Sequence, residues 1–125
     1  METNLIYKEE YYKVIGLCME VHRILGGGLL EIVYKDALEY EFKQHQIPFE
    51  REKEFIIEYK NIILPHRFYA DFVVYDNIIL EVKAMSGIVE VHIAQTLNYM
   101  KLAKSRLGII ANFQNSTLQH KRLIL

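Results

Sequence analysis

Apolar residues recur at helical spacing in the first third of the chain. Over Lys8–Leu25 they are separated by three or four positions, which predicts an amphipathic helix. Gly26 to Gly28 end this helix, because glycine readily adopts the left-handed backbone that follows a helix terminus. A second helix is predicted over residues 29–44, ahead of Pro48.

The second helix combines a broad apolar arc with a polar face. The arc contains Leu30, Val33, Tyr34, Ala37, Leu38 and Phe42, and the polar face is assigned Lys35, Asp36, Glu39 and Lys43. Glu31 and Glu41 fall inside the apolar arc, which is unusual for solvated carboxylates. Because Glu41 shares the arc, the wheel alone does not select Glu31. An acidic residue in the first helical turn is also explained by the helix dipole.

The period changes to two after Pro48, which predicts strands over residues 52–59, 62–75 and 78–84. The middle strand is expected to break near Pro65, since proline cannot donate a ladder hydrogen bond. Turns are predicted at Lys60-Asn61 and at Asp76-Asn77.

The last part of the chain predicts a helix over residues 89–104, a strand over 106–113 and a short strand over 121–125. The order ααβββαβ(β) indicates an α/β (α+β) domain with a central mixed sheet of four to five strands flanked by helices. The first three strands should form an antiparallel meander, and the helical crossover should add the next strand in parallel. A chain of 125 residues suits a single domain, residues 1–125.

Composition and charge limit the candidate functions. The chain is 51% hydrophobic and 25% charged, with a net charge of −1, which is typical of a globular domain without an overall electrostatic footprint for nucleic acid. Any nucleic-acid contact must therefore come from a local patch. Five basic residues either line a groove that binds nucleic acid or are solvated surface: Arg51, Lys53, Arg67, Lys101 and Lys104.

A cytoplasmic protein without a membrane segment is expected. The polar, acidic start of the chain does not resemble a signal peptide. No apolar run approaches the roughly 20 residues of a membrane span. The single cysteine, Cys18, lies on the apolar face of the first helix and fits a buried position in a reducing compartment.

Asp71, Glu81 and Lys83 interrupt the most strand-like part of the chain. Charged residues on a solvated strand face are ordinary, but helices should cover both faces of a central strand here. Buried charges are costly unless they are paired or bind a metal ion. Two carboxylates suit Mg²⁺ or Mn²⁺, and a neighbouring amine suits activation of water or stabilisation of charge during phosphodiester hydrolysis.

The segment ADFVVYDNIILEVKA resembles the PD-(D/E)xK nuclease signature, with Asp71, Glu81 and Lys83 in the named places and Ala70 where the proline would stand. The segment GLLEIVYKDALEYEF is similar to the GxxExxY proteins of that superfamily, through Gly28, Glu31 and Tyr34. The segments EVHRILGGGLLE and QTLNYMKLAKSRLGIIANF are similar to the same group. The resemblance covers nearly the whole chain and implies a nuclease-like domain.

The resemblance also implies roles for residues outside the signature. Glu31 would join Asp71 and Glu81 around the metal ion. Gln95 would orient the attacking water or contact phosphate, and Tyr99 would stack on or bond to nucleic acid with Lys101 nearby; both Gln95 and Tyr99 could equally belong to a packed helix face. The implied function is a Mg²⁺- or Mn²⁺-dependent nuclease, acting on DNA rather than RNA and plausible as a homodimer. The alternative is an inactive or weak nucleic-acid-binding accessory module of the same fold.

The turn after the second strand tests this hypothesis. A plain two-residue turn at Asp76-Asn77 would pair Asp71 with Val82 and place its side chain on the face away from Glu81. The nuclease hypothesis therefore requires an odd-numbered loop or a bulge, which would bring Asp71 opposite Glu81 or Lys83.

Overall fold

The computed structural model describes residues 7–125. Its helices are α1 (Lys8–Leu25), α2 (Glu31–Gln44) and α3 (Glu90–Ala103). Its strands are β1 (Phe49–Phe55), β2 (Glu58–Tyr59), β3 (Ile62–Ile63), β4 (Phe68–Val74), β5 (Ile78–Lys83), β6 (Leu107–Asn112) and β7 (Gln119–Ile124). The expectations made for residues 1–6, including the absence of a signal peptide, lie outside the described residues.

The central sheet has the order β1-β4-β5-β6-β7. The β1, β4 and β5 strands form the predicted antiparallel meander, and β6 runs parallel to β5 after the α3 crossover. The β7 strand closes the other edge in antiparallel pairing with β6. The predicted mixed sheet with flanking helices is thus confirmed. Within residues 7–125, no helix is both long and apolar enough to cross a membrane.

The first predicted strand was wrong in its bounds. The β1 strand begins at Phe49, directly after Pro48, because the Phe49 ring packs 5.5 Å from Phe42 and its backbone pairs with Val74. Residues 58–59 leave the main sheet and pair with β3 in a separate two-stranded hairpin. Its turn is the predicted Lys60-Asn61, with Lys60 at φ 51°.

The sheet is covered on both faces. One face carries the larger apolar cluster, in which Val14 and Cys18 of α1 and Leu38 of α2 are buried together with residues of the sheet such as Leu80. The opposite face carries a smaller cluster around Met100 of α3. Cys18 is buried, as its position on the apolar face of α1 predicted. The β5 and β6 strands therefore lie in the middle of the molecule, with helices above and below.

The connection between α1 and α2 is fixed by a tyrosine. Gly26, at φ 72°, donates its N–H to the carbonyl of His22 over 2.8 Å and ends α1. The Tyr34 hydroxyl donates to the carbonyl of Gly26 over 2.7 Å and accepts the N–H of Leu29 over 3.0 Å. Its ring stacks on Phe113 at 4.5 Å. These contacts set the position of α2 over the sheet.

Candidate active site

A three-residue loop sets the relation between β4 and β5. Val74 pairs with Ile78, which leaves Tyr75, Asp76 and Asn77 in the loop. Tyr75 and Asp76 both adopt left-handed backbone conformations, at φ 56° and 63°. The required odd-numbered loop is therefore confirmed.

The register of this hairpin brings two carboxylates to the same level of the sheet. Phe72 and Leu80 are the pair farthest from the loop, so the next position along places Asp71 opposite Glu81. The Asp71 N–H donates to Oε2 of Glu81 over 3.0 Å. The Val82 N–H donates to Oδ2 of Asp71 over 2.8 Å. Beyond Phe72 the two strands are therefore joined by carboxylates instead of backbone carbonyls.

The neighbouring strand adds a third carboxylate at this level. In β1, Arg51 pairs with Phe72 and Lys53 pairs with Ala70, so Glu52 stands opposite Asp71. Glu52 has φ 54°, which interrupts the regular pairing of β1 at this position. Glu52 was not among the predicted site residues, because it lay within a predicted strand rich in charged residues.

Lys35 of α2 joins this cluster. Its Nζ lies 2.9 Å from Oδ1 of Asp71 and also forms an ion pair with Glu52. Lys35 is 7% exposed, so its assignment to the polar face was wrong. It stands seven residues before Phe42, and at about 100° per residue the two side chains point within about 20° of each other. That spacing was the signal that could have identified it.

Burial and like charge act together on Glu81. The Glu81 side chain is 4% exposed. Burial, followed by the negative charge of Asp71, raises the pKa of Glu81 to about 8, although the Asp71 N–H and the charges of Lys83 and Lys35 act in the opposite direction. A carboxyl group in this environment is stabilised by any further positive charge nearby.

Lys35 remains a cation in spite of its burial. Burial by itself lowers the pKa of Lys35, but the hydrogen bonds and negative charges of Glu52 and Asp71 outweigh it and raise the pKa above its usual value. Lys35 therefore stays protonated at neutral pH.

Three other predicted site residues, Lys83, Glu31 and Gln95, are less directly associated with the carboxylates of Asp71 and Glu81. Lys83 is half-buried on β5, two residues after Glu81, and its charge reaches the Glu81 carboxyl. Glu31 is the half-buried first residue of α2, one turn before Lys35. Within residues 7–125, neither Glu31 nor Gln95 forms a hydrogen bond or ion pair with Asp71 or Glu81, and Gln95 is exposed.

Tyr99 lies between the carboxylates and an apolar cleft. Its ring stacks on Phe68 at 4.3 Å, and Phe68 stacks on Phe55 at 4.8 Å. Burial, followed by the charges of Glu81 and Asp71, raises the pKa of Tyr99. The cleft has a volume of about 420 Å³ and is lined by Ile57, Phe68, Asn98, Tyr99, Lys101 and Leu102.

The basic patch is smaller than the sequence suggested. Arg51 pairs with Asp36 and Glu39, Lys53 pairs with Glu50, and Arg67 pairs with Glu54. Lys101 and Lys104 form no ion pair within the described part of the chain, and both line the surface beside Leu102. Glu58 lines the same surface without pairing directly to either lysine in the described residues, whereas the basic residues of β1 are held in ion pairs.

The donor set fits a hard divalent cation. Asp71 and Glu81 offer carboxylate oxygens at one level of the sheet, and the buried Glu81 gains from a nearby positive charge. In residues 7–125, no three His, Cys, Asp or Glu side chains converge as a complete ligand set. Mg²⁺ is commonly held by one or two carboxylates together with water and substrate phosphate, so two carboxylates suffice.

This fold is that of a PD-(D/E)XK nuclease-like domain. The model of the PD-(D/E)XK nuclease superfamily matches residues 8–123, and the chain belongs to that superfamily. Its members generally use divalent metal ions.

A solved structure described as the crystal structure of SSO0001 is similar in fold, with a TM-score of 0.63 at 18% sequence identity. The similarity covers 96% of this chain but 60% of that protein, so this chain spans less than two thirds of its length. No curated protein matches the chain.

Proposed function

We propose that this protein is a divalent-metal-dependent nuclease that hydrolyses phosphodiester bonds, in DNA rather than RNA. The observation that carries the proposal is the carboxylate pair of Asp71 and Glu81 on adjacent strands, with Lys83 two residues further along β5. The superfamily supports a nucleic-acid substrate. The GLLEIVY segment supports placement in the GxxExxY group, since Gly28 adopts φ 94° and Tyr34 fixes the loop before Glu31.

Asp71 and Glu81 would hold Mg²⁺ or Mn²⁺, with Glu31 adding support from the first turn of α2. When bound, such an ion supplies Lewis-acid polarisation of the phosphodiester and a more acidic water. Nζ of Lys83 would orient the attacking water or stabilise the negative charge that develops on the phosphate, and the cleaved strand would carry a 5′-phosphate. Gln95 would assist in placing the water or the phosphate.

Tyr99 and Lys101 would contact the nucleic acid beside the carboxylates. The Tyr99 ring already stands at the end of an aromatic stack, and aromatic rings bind nucleobases without strong sequence preference. Lys101, which lines this cleft, and Lys104, on the adjoining surface beside Leu102, would neutralise backbone phosphates. A homodimer would allow this short domain to reach both strands of a duplex.

A second function, a nucleic-acid-binding module without turnover, is favoured by one observation. Lys35 already neutralises Asp71, so the carboxylates have a protein cation as partner. In that case the protein would bind nucleic acid through the Tyr99 cleft without cleaving it.

Calorimetry with Mg²⁺ and Mn²⁺ distinguishes the two functions. Wild type should bind at micromolar to millimolar concentration and Asp71→Asn should not, whereas Asp76→Asn in the exposed loop serves as the matched control and should bind like wild type. Cleavage assays on single-stranded DNA, duplex DNA and RNA should follow the same order. Nucleic-acid binding without metal binding or cleavage would support the accessory module.

A further inference from the structure

Lys35 is a buried cation in direct contact with the candidate metal ligand. It is 7% exposed, and its Nζ lies 2.9 Å from Oδ1 of Asp71. Charged side chains are seldom buried to this degree unless they are paired. Here the pairing links a helix on one side of the sheet to β4, 36 residues further along the chain.

Both oxygens of Asp71 are already engaged. Oδ2 accepts the N–H of Val82, and Oδ1 accepts from Lys35. Each carboxylate oxygen has two lone pairs, so a divalent ion that binds Asp71 would share an oxygen with one of these two donors. At Oδ1 that sharing would bring the ion close to the positive charge of Lys35, and the two would repel each other. The Val82 N–H is fixed in a central strand, whereas the ammonium of Lys35 is carried on a flexible four-carbon chain. Lys35 is therefore the partner that can move away.

Glu52 offers Lys35 a second partner. It stands opposite Asp71 in the register of β1, and its side chain is half exposed and also pairs with Lys35. If Lys35 releases Asp71, its ammonium can stay paired with Glu52 and reach solvent at the same time. The cost of an unpaired buried charge is thereby avoided.

We propose that Lys35 is a resident counter-ion of the Asp71 carboxylate, which a divalent cation displaces toward Glu52 on binding. This inference rests on the proposed metal site at Asp71 and Glu81. Lys35 then sets the metal affinity, because each binding event exchanges one cation for another. A role limited to positioning Asp71 would have the opposite consequence, since removal of Lys35 would then weaken metal binding.

The test is Mn²⁺ calorimetry on wild type and on Lys35→Met, which keeps an unbranched side chain, one atom shorter, and removes its charge. We expect Lys35→Met to bind Mn²⁺ at least about tenfold more tightly, since a positive charge close to the ion repels it. Lys43→Met is the matched control, because Lys43 lies on the same helix, is exposed and pairs with Glu39 alone. It should bind Mn²⁺ like wild type.

Thermal unfolding without metal is the second readout. Lys35→Met should melt at a lower temperature than wild type in a chelating buffer, because Asp71 loses its cation. Mn²⁺ should then raise the melting temperature of Lys35→Met more than that of wild type. Lys35→Gln retains a hydrogen-bond donor for Asp71 and replaces the methionine variant in both measurements if that variant does not fold.

The outcomes separate this inference from the proposed function. Tighter Mn²⁺ binding in the Lys35 variants supports both, even if wild type binds too weakly to measure. If wild type binds Mn²⁺ and the Lys35 variants bind it equally or more weakly, the counter-ion role is overturned. The proposed metal site is then still supported. Absence of binding in every folded variant overturns the metal site, and the counter-ion role falls with it.

Discussion

The backbone N–H of Asp71 donates to the Glu81 carboxylate across 3.0 Å, at the position where the regular pairing of β4 and β5 stops. The Glu81 side chain of β5 thus takes the place of a backbone carbonyl as the acceptor for an N–H of β4. This hydrogen bond keeps Glu81 buried beside the carboxylate of Asp71. Its electrostatic consequences can be measured in the folded protein.

Stability without metal should depend on pH through Glu81. The folded state binds its proton with a pKa of about 8, against 4.5 for an ordinary glutamate, so between these values the folded protein holds more protons than the unfolded chain. The free energy of unfolding should therefore fall as pH rises from about 4.5 to about 8, by up to about 1.4 kcal/mol per pH unit. Urea unfolding in a chelating buffer across this range checks it.

Glu81→Gln is the control for that measurement. Glutamine is similar in shape and does not titrate, so this part of the pH dependence should disappear. A variant that keeps the wild-type slope would place the titration on another group.

Lys83→Met should separate chemistry from metal binding. Because Lys83 is proposed to act on the attacking water, we expect cleavage to fall by about 100-fold or more while Mn²⁺ affinity stays within a few fold. Single-turnover cleavage and calorimetry on the same samples measure both quantities. Lys13→Met, on the exposed side of α1, should match wild type. Parallel loss of cleavage and of metal affinity would assign Lys83 to ion binding instead.

Tyr34→Phe should destabilise the fold through the loop that precedes α2. The change removes the donor to the Gly26 carbonyl and the acceptor for the Leu29 N–H while it keeps the stacked ring. We expect a loss of about 1–3 kcal/mol in the free energy of unfolding, because two part-buried hydrogen bonds of about 0.5–1.5 kcal/mol each are lost. Tyr40→Phe, at an exposed position of the same helix, should change stability little. Equal effects in urea unfolding would argue against this role of the hydroxyl.

Two glycine substitutions should change the stability of the fold in opposite directions. A Cβ at Gly27 would lie 2.3 Å from the backbone carbonyl oxygen of Gln114, so Gly27→Ala should lower stability by about 1–3 kcal/mol. A Cβ at Gly16, inside α1, meets no atom within 4 Å. Gly16→Ala should therefore raise stability by about 0.5–1 kcal/mol. Thermal unfolding of both variants checks the pair, and a neutral Gly27→Ala would show that the two loops separate readily.

Local patterns predicted the elements because the forces that form them are local. The bounds of α1 follow from its apolar spacing and from Gly26. The three-residue loop followed from a requirement of side-chain alternation, since one residue more or less exchanges the two faces of a strand. The two-stranded hairpin of β2 and β3 did not follow, because alternation does not specify which strand is the partner.

The ion-pair partners of Lys35 could not be predicted from local patterns. A hydropathy wheel treats any lysine as a surface residue, although its position seven residues before Phe42 directs it inward. Its burial is stabilised by carboxylates on two other elements, at sequence separations of 17 and 36 residues. Such a partnership becomes visible only when the strands are assembled.

Cys18 offers a practical consequence of the packing of α1. Its side chain has no exposed surface, and burial raises the pKa of the thiol to about 12. Alkylating reagents attack the thiolate, so the native protein should be almost inert to them. Because the chain has a single cysteine, each modified molecule records one opening of the core. Alkylation of Cys18 can thus be used to follow the unfolding of every variant over time, without any engineered probe.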